Sequence, residues 1–368
     1  MSGITHHLVR RGLEATSQHL SPASNNGDED RRRLSDWAML VFGVTAVVFG
    51  LLAFSIQYTY GTVVAALAVV EDPHPETFEP AKAPDSSNKT SNVVGSDEVP
   101  FKQSTPITRS LRSTILHLHA HAGPWSHFRG LGMYLCLGIC RSFLIQLFTV
   151  SQASPSMNPM NSLGLVAVDV VTATLELTWV HIVISEPSAK SLWRRVPGYS
   201  SWVKIAPAVA LRSAASQLTF ILPAQLGFGI TASRIEAGNP FSGPDYNPRT
   251  EIVRAIAVLA LTMCLTVLIE LPATVTMIRV AASILPEGED TIVPFDRSFG
   301  GKVGPALLGG SGKVSLLDAW KTFTWPSRIR LVKVLVKTFG LLIAVTATCA
   351  VFFACEAMLL GERMFVKA

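Results

Sequence analysis

The stretch that decides the class of this protein is Trp37–Val70, WAMLVFGVTAVVFGLLAFSIQYTYGTVVAALAVV. It runs 34 residues without an Asp, Glu, Lys or Arg. About 20 apolar residues suffice to cross the hydrocarbon core of a bilayer, and no helix in a water-soluble core needs such a run. The chain therefore reads as an integral membrane protein. Composition agrees: charged residues make up 15% of the 368 positions, against about 25% in an ordinary soluble domain, and mean hydropathy is +0.37.

Working outward, five more apolar segments follow: Leu131–Val150, Leu163–Ser185, Pro207–Ile230, Ile252–Leu271 with a continuation to Leu285, and Val334–Leu360. Lipid offers no partner for backbone N–H and C=O, so spans are helices or closed barrels. These segments are continuously apolar and do not alternate, which selects helices. The expected fold is an all-α membrane protein with six transmembrane helices and both termini on one side. At 1.5 Å per residue the first run reaches about 51 Å, well beyond a core of about 30 Å. A bend near Gln57–Tyr60 and Gly61 is expected.

The connections alternate in charge. Those after the second and fourth spans carry little Lys or Arg. Those after the first, third and fifth carry Lys82, Lys89, Lys102, Arg109 and Arg112, then Lys190, Arg194, Arg195 and Lys204, then Arg297, Lys302, Lys313, Lys321, Arg328 and Arg330. The positive-inside bias puts this second set on one face of the membrane, although Arg31–Arg33 pull the other way. A repeat underlies the alternation. Arg141-Ser142-x-x-x-Gln146-Leu147 in the second span is matched by Arg212-Ser213-x-x-x-Gln217-Leu218 in the fourth, with Lys337-Thr338 in the sixth. An aromatic with a nearby basic residue precedes each: Trp125 and Arg129, Trp202 and Lys204, Trp325 and Arg328. The expected organisation is a polar tail 1–36, repeats at 37–150 (with a long loop 71–128), 151–230 and 231–360 (with a long loop 286–330), and a tail 361–368.

On these residues the chain resembles the mitochondrial carrier family. Leu271–Ala281 is similar to the family's Pro-x-acid-x-x-basic-x-Arg signature, with Pro272 at the proline and Arg279 at the second basic position. Leu316–Lys321 resembles its short amphipathic matrix helix, and Phe128-Arg129-Gly130 its aromatic-Arg-Gly stretch. The resemblance implies three pseudo-repeats around a central cavity, a mitochondrial membrane and a solute carrier. Thr274 and Met277 stand where the signature has an acid and its first base. Repeats one and two end in Glu71-Asp72-Pro73 and Glu186-Pro187, without the signature. The usual ion-pair gate cannot form from such residues.

Charges inside spans are rare, costly, and face a bundle interior or an aqueous cavity. Asp169 and Glu176 lie seven apart, two turns along one helical face. With Arg141 and Arg212 opposite, they would form a central polar patch for a small anionic or zwitterionic solute, Gln146 and Gln217 adding hydrogen bonds. The same residues would equally serve as packing ion pairs in a bundle that transports nothing. Lys337 sits near a span end, where it can snorkel.

The remaining signals are weaker. His117, His119, His121 and His127 are close in sequence but lack neighbouring Cys or carboxylate ligands, so no metal is expected. All five cysteines fall in apolar segments, which argues against a disulfide framework. Gly309-Gly310-Ser311-Gly312-Lys313 fails the phosphate-loop pattern at Leu307 and Val314. Asn88-Lys89-Thr90 is a glycosylation sequon, meaningful only in the secretory pathway. No secretory signal peptide is expected; Arg10 and Arg11 ahead of Glu14 are weakly presequence-like, and Asp28–Asp30 work against that reading. No catalytic arrangement, cofactor or nucleic-acid partner is expected. The alternatives to a carrier are a non-transporting adaptor or scaffold and an unrelated six-span protein of the endoplasmic reticulum or another cellular membrane; monomer and oligomer stay open.

Overall fold

The computed structural model describes residues 32–34, 36–72, 106–149, 159–188, 190–236, 248–304, 312–360 and 365–367. The N-terminal tail, the Asn88 sequon, Lys82, Lys89, Lys102, most of the loop after the first span, and Gly309–Ser311 lie outside them. The described residues are overwhelmingly helical. In chain order we label α1 (Asp36–Ile56), α2 (Ala65–Val70), α3 (Leu111–Ala122), α4 (Leu131–Thr149), α5 (Pro159–Val171), α6 (Ala173–Ile184), α7 (Tyr199–Glu236), α8 (Pro248–Leu265), α9 (Leu271–Ser283), α10 (Leu316–Lys321) and α11 (Trp325–Leu360).

Five helical stretches are long and apolar enough to cross a membrane: Trp37–Val70, Ser126–Leu147, Tyr199–Gln225, Ile252–Ser283 and Trp325–Leu359. A sixth is obtained if α5 and α6, bent by 58° at Thr172, count as one span. This fits a multi-pass membrane protein. The third span of the sequence reading is thus a broken one. The break frees the Val170 carbonyl, which accepts a hydrogen bond from Trp202 Nε1 at 2.8 Å, and Thr172 turns its hydroxyl back to the Val168 and Asp169 carbonyls.

The first and fifth spans are distorted in another way. Between α1 and α2 the helix widens to a π-helix over Gln57–Val64, and between α8 and α9 over Thr266–Glu270. Such insertions mark bends and functional sites. The first falls on the Gln57–Gly61 stretch where length alone called for a bend. A Cβ on Gly61 would lie 2.9 Å from Gln57 Nε2, the movable end of a flexible side chain.

The chain divides into two compact units. The smaller comprises residues 1–51 and 345–368. Within it, Phe42 packs near Phe353 and Phe49 near Phe352, with ring centroids 5.7 and 5.3 Å apart. Thr45 Oγ1 donates to Glu356, and Arg32–Leu34 pairs antiparallel with Phe365–Lys367. That pairing brings the two described ends of the chain together.

The larger unit, residues 52–344, holds the core. Helices α2, α6 and α9 pack on one another, and their facing residues are almost wholly buried: Ala65–Val70, Leu177, Val180, Val183, Ile184, Val275, Met277 and Val280 through Ala282. Small Ala and β-branched Val let backbones approach closely, which is how helices associate where lipid removes the hydrophobic drive. The amphipathic α3 and α10 begin at Ser110 and Ser315, whose side chains accept the N–H of Ser113 and Asp318. These are serine N-caps of the preferred kind.

Candidate functional site

Helices α4, α5, α6 and α7 present the charged side chains of the spans to one another. The amphipathic logic is simple: a guanidinium in an apolar span must find an anion or water, and the nearest anions lie on the neighbouring span. Arg141 on α4 engages Asp169 on α5 in a forked pair, Nε to Oδ1 at 2.8 Å and Nη2 to Oδ2 at 3.2 Å. Arg212 on α7 meets Glu176 on α6, with Nη2 3.1 Å from both carboxylate oxygens. Ser213 Oγ donates to Asp169 Oδ2 at 2.5 Å, tying α7 to the first pair as well.

The carboxylates are nearly buried, and the guanidiniums less so. Side-chain exposure is 39% for Arg141 against 4% for Asp169, and 21% for Arg212. The exposed sides of the arginines border a cavity of about 140 Å³ lined also by Tyr134, Gly138 and Thr172. Asp169 and Glu176 keep a common direction despite the break at Thr172 between them, because both find an arginine across the same cavity.

The two glutamines are not part of this site. Gln146 is exposed on α4. Gln217 borders a separate, mostly apolar groove of about 560 Å³ between α5 and α7, with Leu163, Val166, Leu218 and Ile221. The repeated Arg-Ser-x-x-x-Gln sets each glutamine five residues after its arginine, about 1.4 turns, so the two side chains leave the helix on different faces. Ser213 and Tyr134 take part instead. Ser213 was visible as the residue after the repeated Arg; Tyr134 carries no mark within an apolar span.

The signature residues are placed differently. Pro272 opens α9 just after the π-helical turn. Arg279 is buried among the converging helix ends, where Nη1 donates to the Val69 carbonyl at 3.1 Å and Nη2 to Thr322 Oγ1 at 3.0 Å. Its guanidinium lies 4.8 Å from the Phe299 ring centre and 5.5 Å from that of Phe323. It does not sit at the cavity.

Two other arginines do similar work at this end. Arg129 Nε donates to the Ile182 carbonyl at 2.8 Å and Nη2 to that of Ser185. Arg330 donates to the Glu71 carbonyl at 3.0 Å and pairs with its carboxylate at 3.3 Å. Glu71 in turn accepts from the Ile107 and Thr108 backbone and from the Thr108 hydroxyl. The last carbonyls of a helix have no partner within it, and guanidiniums satisfy them here while complementing the negative end of the helix dipole.

Among the described residues no group of three or more His, Cys, Asp or Glu is arranged to hold a metal ion. His117 and His121 lie close, ring centres 4.3 Å apart, with His117 Nε2 3.0 Å from the Ile292 carbonyl. A scan against family models finds none that matches this chain, and a search of curated proteins finds no matching relative.

Proposed function

We propose that this protein is a carrier-like membrane protein of the mitochondrial membrane that binds a small solute at the Arg141–Asp169 and Arg212–Glu176 cavity. The observation that carries this reading is two half-open guanidinium–carboxylate pairs lining one cavity inside the apolar spans. Closing an ion pair off on all sides costs desolvation that its attraction need not repay. Here the arginines keep a face to open space, where a ligand carboxylate can share them.

The charges at the site sum to zero, with two cations against two anions. A solute that brings both signs, a carboxylate for the arginines and an ammonium for Asp169 or Glu176, leaves no charge unmatched. A zwitterion of the amino-acid type is therefore favoured within the anionic or zwitterionic class. Binding shifts the bundle between conformations only by the difference in its contacts with them. Sharing a paired arginine is one such difference.

Several features support the three-repeat, carrier-like layout. Each odd span is distorted midway: the π-helix at Gln57–Val64, the bend at Thr172, the π-helix at Thr266–Glu270. Each then ends in a buried segment, followed by a short helical element (α3, the 3₁₀ turn Leu192–Arg195, and α10) and an even span. Distorted helices surrounding a central polar site are a habit of transporter folds.

The rival reading is a scaffold that transports nothing, favoured by the tight seal at the Glu71–Arg330 end. Uptake decides between them. Purified protein in liposomes is offered labelled amino acids and dicarboxylates. Saturable uptake that is lost in Arg141→Ala and Arg212→Ala supports the carrier; no uptake of any of them, with solute-independent thermal stability, sinks it. A tagged copy imaged against mitochondrial and reticular markers tests the membrane, and occupied Asn88 would overturn the mitochondrial assignment.

A further inference from the structure

After α9 the chain runs without regular structure through residues 286–304, yet this segment is not a loose surface loop. Ile292, Val293 and Phe299 are buried. Its backbone is bonded to two of the three converging helix ends. Asp72 N–H donates to the Pro294 carbonyl at 2.9 Å, at the end of α2. Ile292 N–H donates to the Ile184 carbonyl at 2.9 Å, and Glu186 N–H to that of Asp290 at 2.8 Å, at the end of α6. Ser185 and Thr291 face one another across a short antiparallel bridge. The third end, that of α9, leads directly into the segment.

Side chains reinforce it. Lys190 pairs with Glu289 at 3.3 Å. Arg297 folds back on the carbonyls of Pro286 and Glu289. Phe299 lies against the guanidinium of Arg279, the residue that also holds the Val69 carbonyl. Beneath the segment is a cavity of about 300 Å³ bordered by Val70, Asp72, Phe295, Asp296 and Thr322. The seal at this end is thus made by a strap and three arginines, while Thr274 and Met277 on α9 supply no charge to it and Met277 is buried.

We infer that residues 286–304 form a latch that holds the ends of α2, α6 and α9 together, and that this end opens only when the strap lifts as a unit. The need for opening rests on the carrier reading; the latch itself does not. Backbone bonds and buried side chains anchor the strap together, so release requires breaking a row of hydrogen bonds and exposing Ile292, Val293 and Phe299 at once. Partial opening of such a unit is the kind of local, sub-global event that hydrogen exchange resolves.

The test uses the full chain in lipid nanodiscs, with Cys136, Cys140, Cys264, Cys349 and Cys355 replaced by Ser. Ser185→Cys with Thr291→Cys joins the strap to α6. Residues opposite one another in an antiparallel bridge stand about 4.5–5.5 Å apart at Cα, within disulfide range. The oxidised protein is expected to exchange amides of residues 65–72 and 180–186 about tenfold more slowly than its reduced form. A second variant, Ile292→Gly with Val293→Gly, removes the buried anchors and is expected to speed the same amides by about tenfold, leaving 131–147 unchanged. A disulfide that fails to form in folded protein overturns the latch, as do redox forms that exchange alike. Uptake measured on the cross-linked pair separates the two readings. Transport in the reduced form only supports the latch as a gate, and transport in both forms overturns that role. Slow exchange on oxidation with transport in neither form leaves the latch standing and removes the carrier.

Discussion

Two sets of arginines serve this protein in opposite ways. At the sealed end, Arg279 and Arg330 are 8% and 9% exposed and each holds a backbone carbonyl at a helix terminus, Arg279 with the Thr322 hydroxyl and Arg330 with the Glu71 carboxylate as a second partner. At the mid-span cavity, Arg141 and Arg212 bond only to carboxylate side chains and keep part of their surface open. A carbonyl partner is part of the backbone and cannot leave without unwinding the helix. A carboxylate partner can rotate, and a ligand can take its place. A backbone carbonyl among its partners marks an arginine that holds structure, and carboxylate partners alone, with part of the guanidinium left open, mark one available for binding.

The comparison breaks most readily at Arg279. Arg279→Ala strands the buried Val69 carbonyl and unstacks Phe299, and a buried acceptor left without its donor costs about 1–3 kcal/mol. Denaturant unfolding in mild detergent is expected to show a loss of that size, with Arg279→Lys recovering little because an ammonium cannot reproduce the planar fork. Unfolding of Arg279→Ala at the parent midpoint would put Arg279 outside the structural set.

The next largest effect lies at the cavity. Arg141→Ala and Arg212→Ala are each expected to weaken zwitterion binding by at least about tenfold, or about 1.4 kcal/mol. Each also leaves a nearly buried carboxylate without its cation, so stability should fall as well, and lost binding is what sets these variants apart from Arg279→Ala. Isothermal titration with the purified variants reads the affinity. Equal loss of stability and of binding in all three variants would erase the distinction.

Ser213→Ala removes one neutral-to-charged hydrogen bond to Asp169 while sparing both ion pairs. A loss of about 1.5–3 kcal/mol is expected for such a bond, both of whose partners are buried. The variant should weaken solute binding less than Arg141→Ala does. A larger effect at Ser213 would mean that the hydroxyl, and not the guanidinium, orients Asp169.

The smallest effect concerns the strap. Burial works to raise the Asp296 carboxyl. Hydrogen bonds from the Ser298 hydroxyl, from the Gly300 and Ser298 N–H groups, and the charge of Arg279 outweigh it, holding the group below the usual carboxylate range. A carboxyl lowered on folding contributes its stability above its unfolded value, near about 3.9. That contribution is lost as pH falls through the folded value. Exchange over residues 296–301, corrected for intrinsic rates, is therefore expected to stay level above pH of about 4 and rise in stronger acid. Asp296→Asn should abolish the step; a step that survives this change assigns it to another group.

Much of this architecture was legible before the fold was known, for reasons that can be named. The spans are apolar runs long enough to cross a membrane, which is legible from length and composition. Excess length at Trp37–Val70 called for a distortion, and the π-helix lies there. The charges of Arg141, Arg212, Asp169 and Glu176 stand out because each is alone in apolar sequence. The strap was not legible, because residues 286–304 have neither period, and backbone-to-backbone bonds leave no trace in side-chain pattern. The break at Thr172 was missed because Val171 through Ala173 look like any other helical residues. Gln146 and Gln217 do not line the Arg141–Arg212 cavity, because a residue five positions after another on a helix lies about 1.4 turns further round, on a different face.

The π-helix at Gln57–Val64 also divides one apolar run between two solvents. Before it, Val44, Val47, Val48 and Leu51 are exposed and would meet acyl chains; after it, Ala65 through Val70 are dissolved in protein. Hydropathy is blind to that change of medium, since both are oily. The same substitution should therefore have two meanings along a single helix. A polar residue at Val48 challenges insertion into the bilayer, whereas one at Leu67 leaves insertion intact and spoils assembly afterwards.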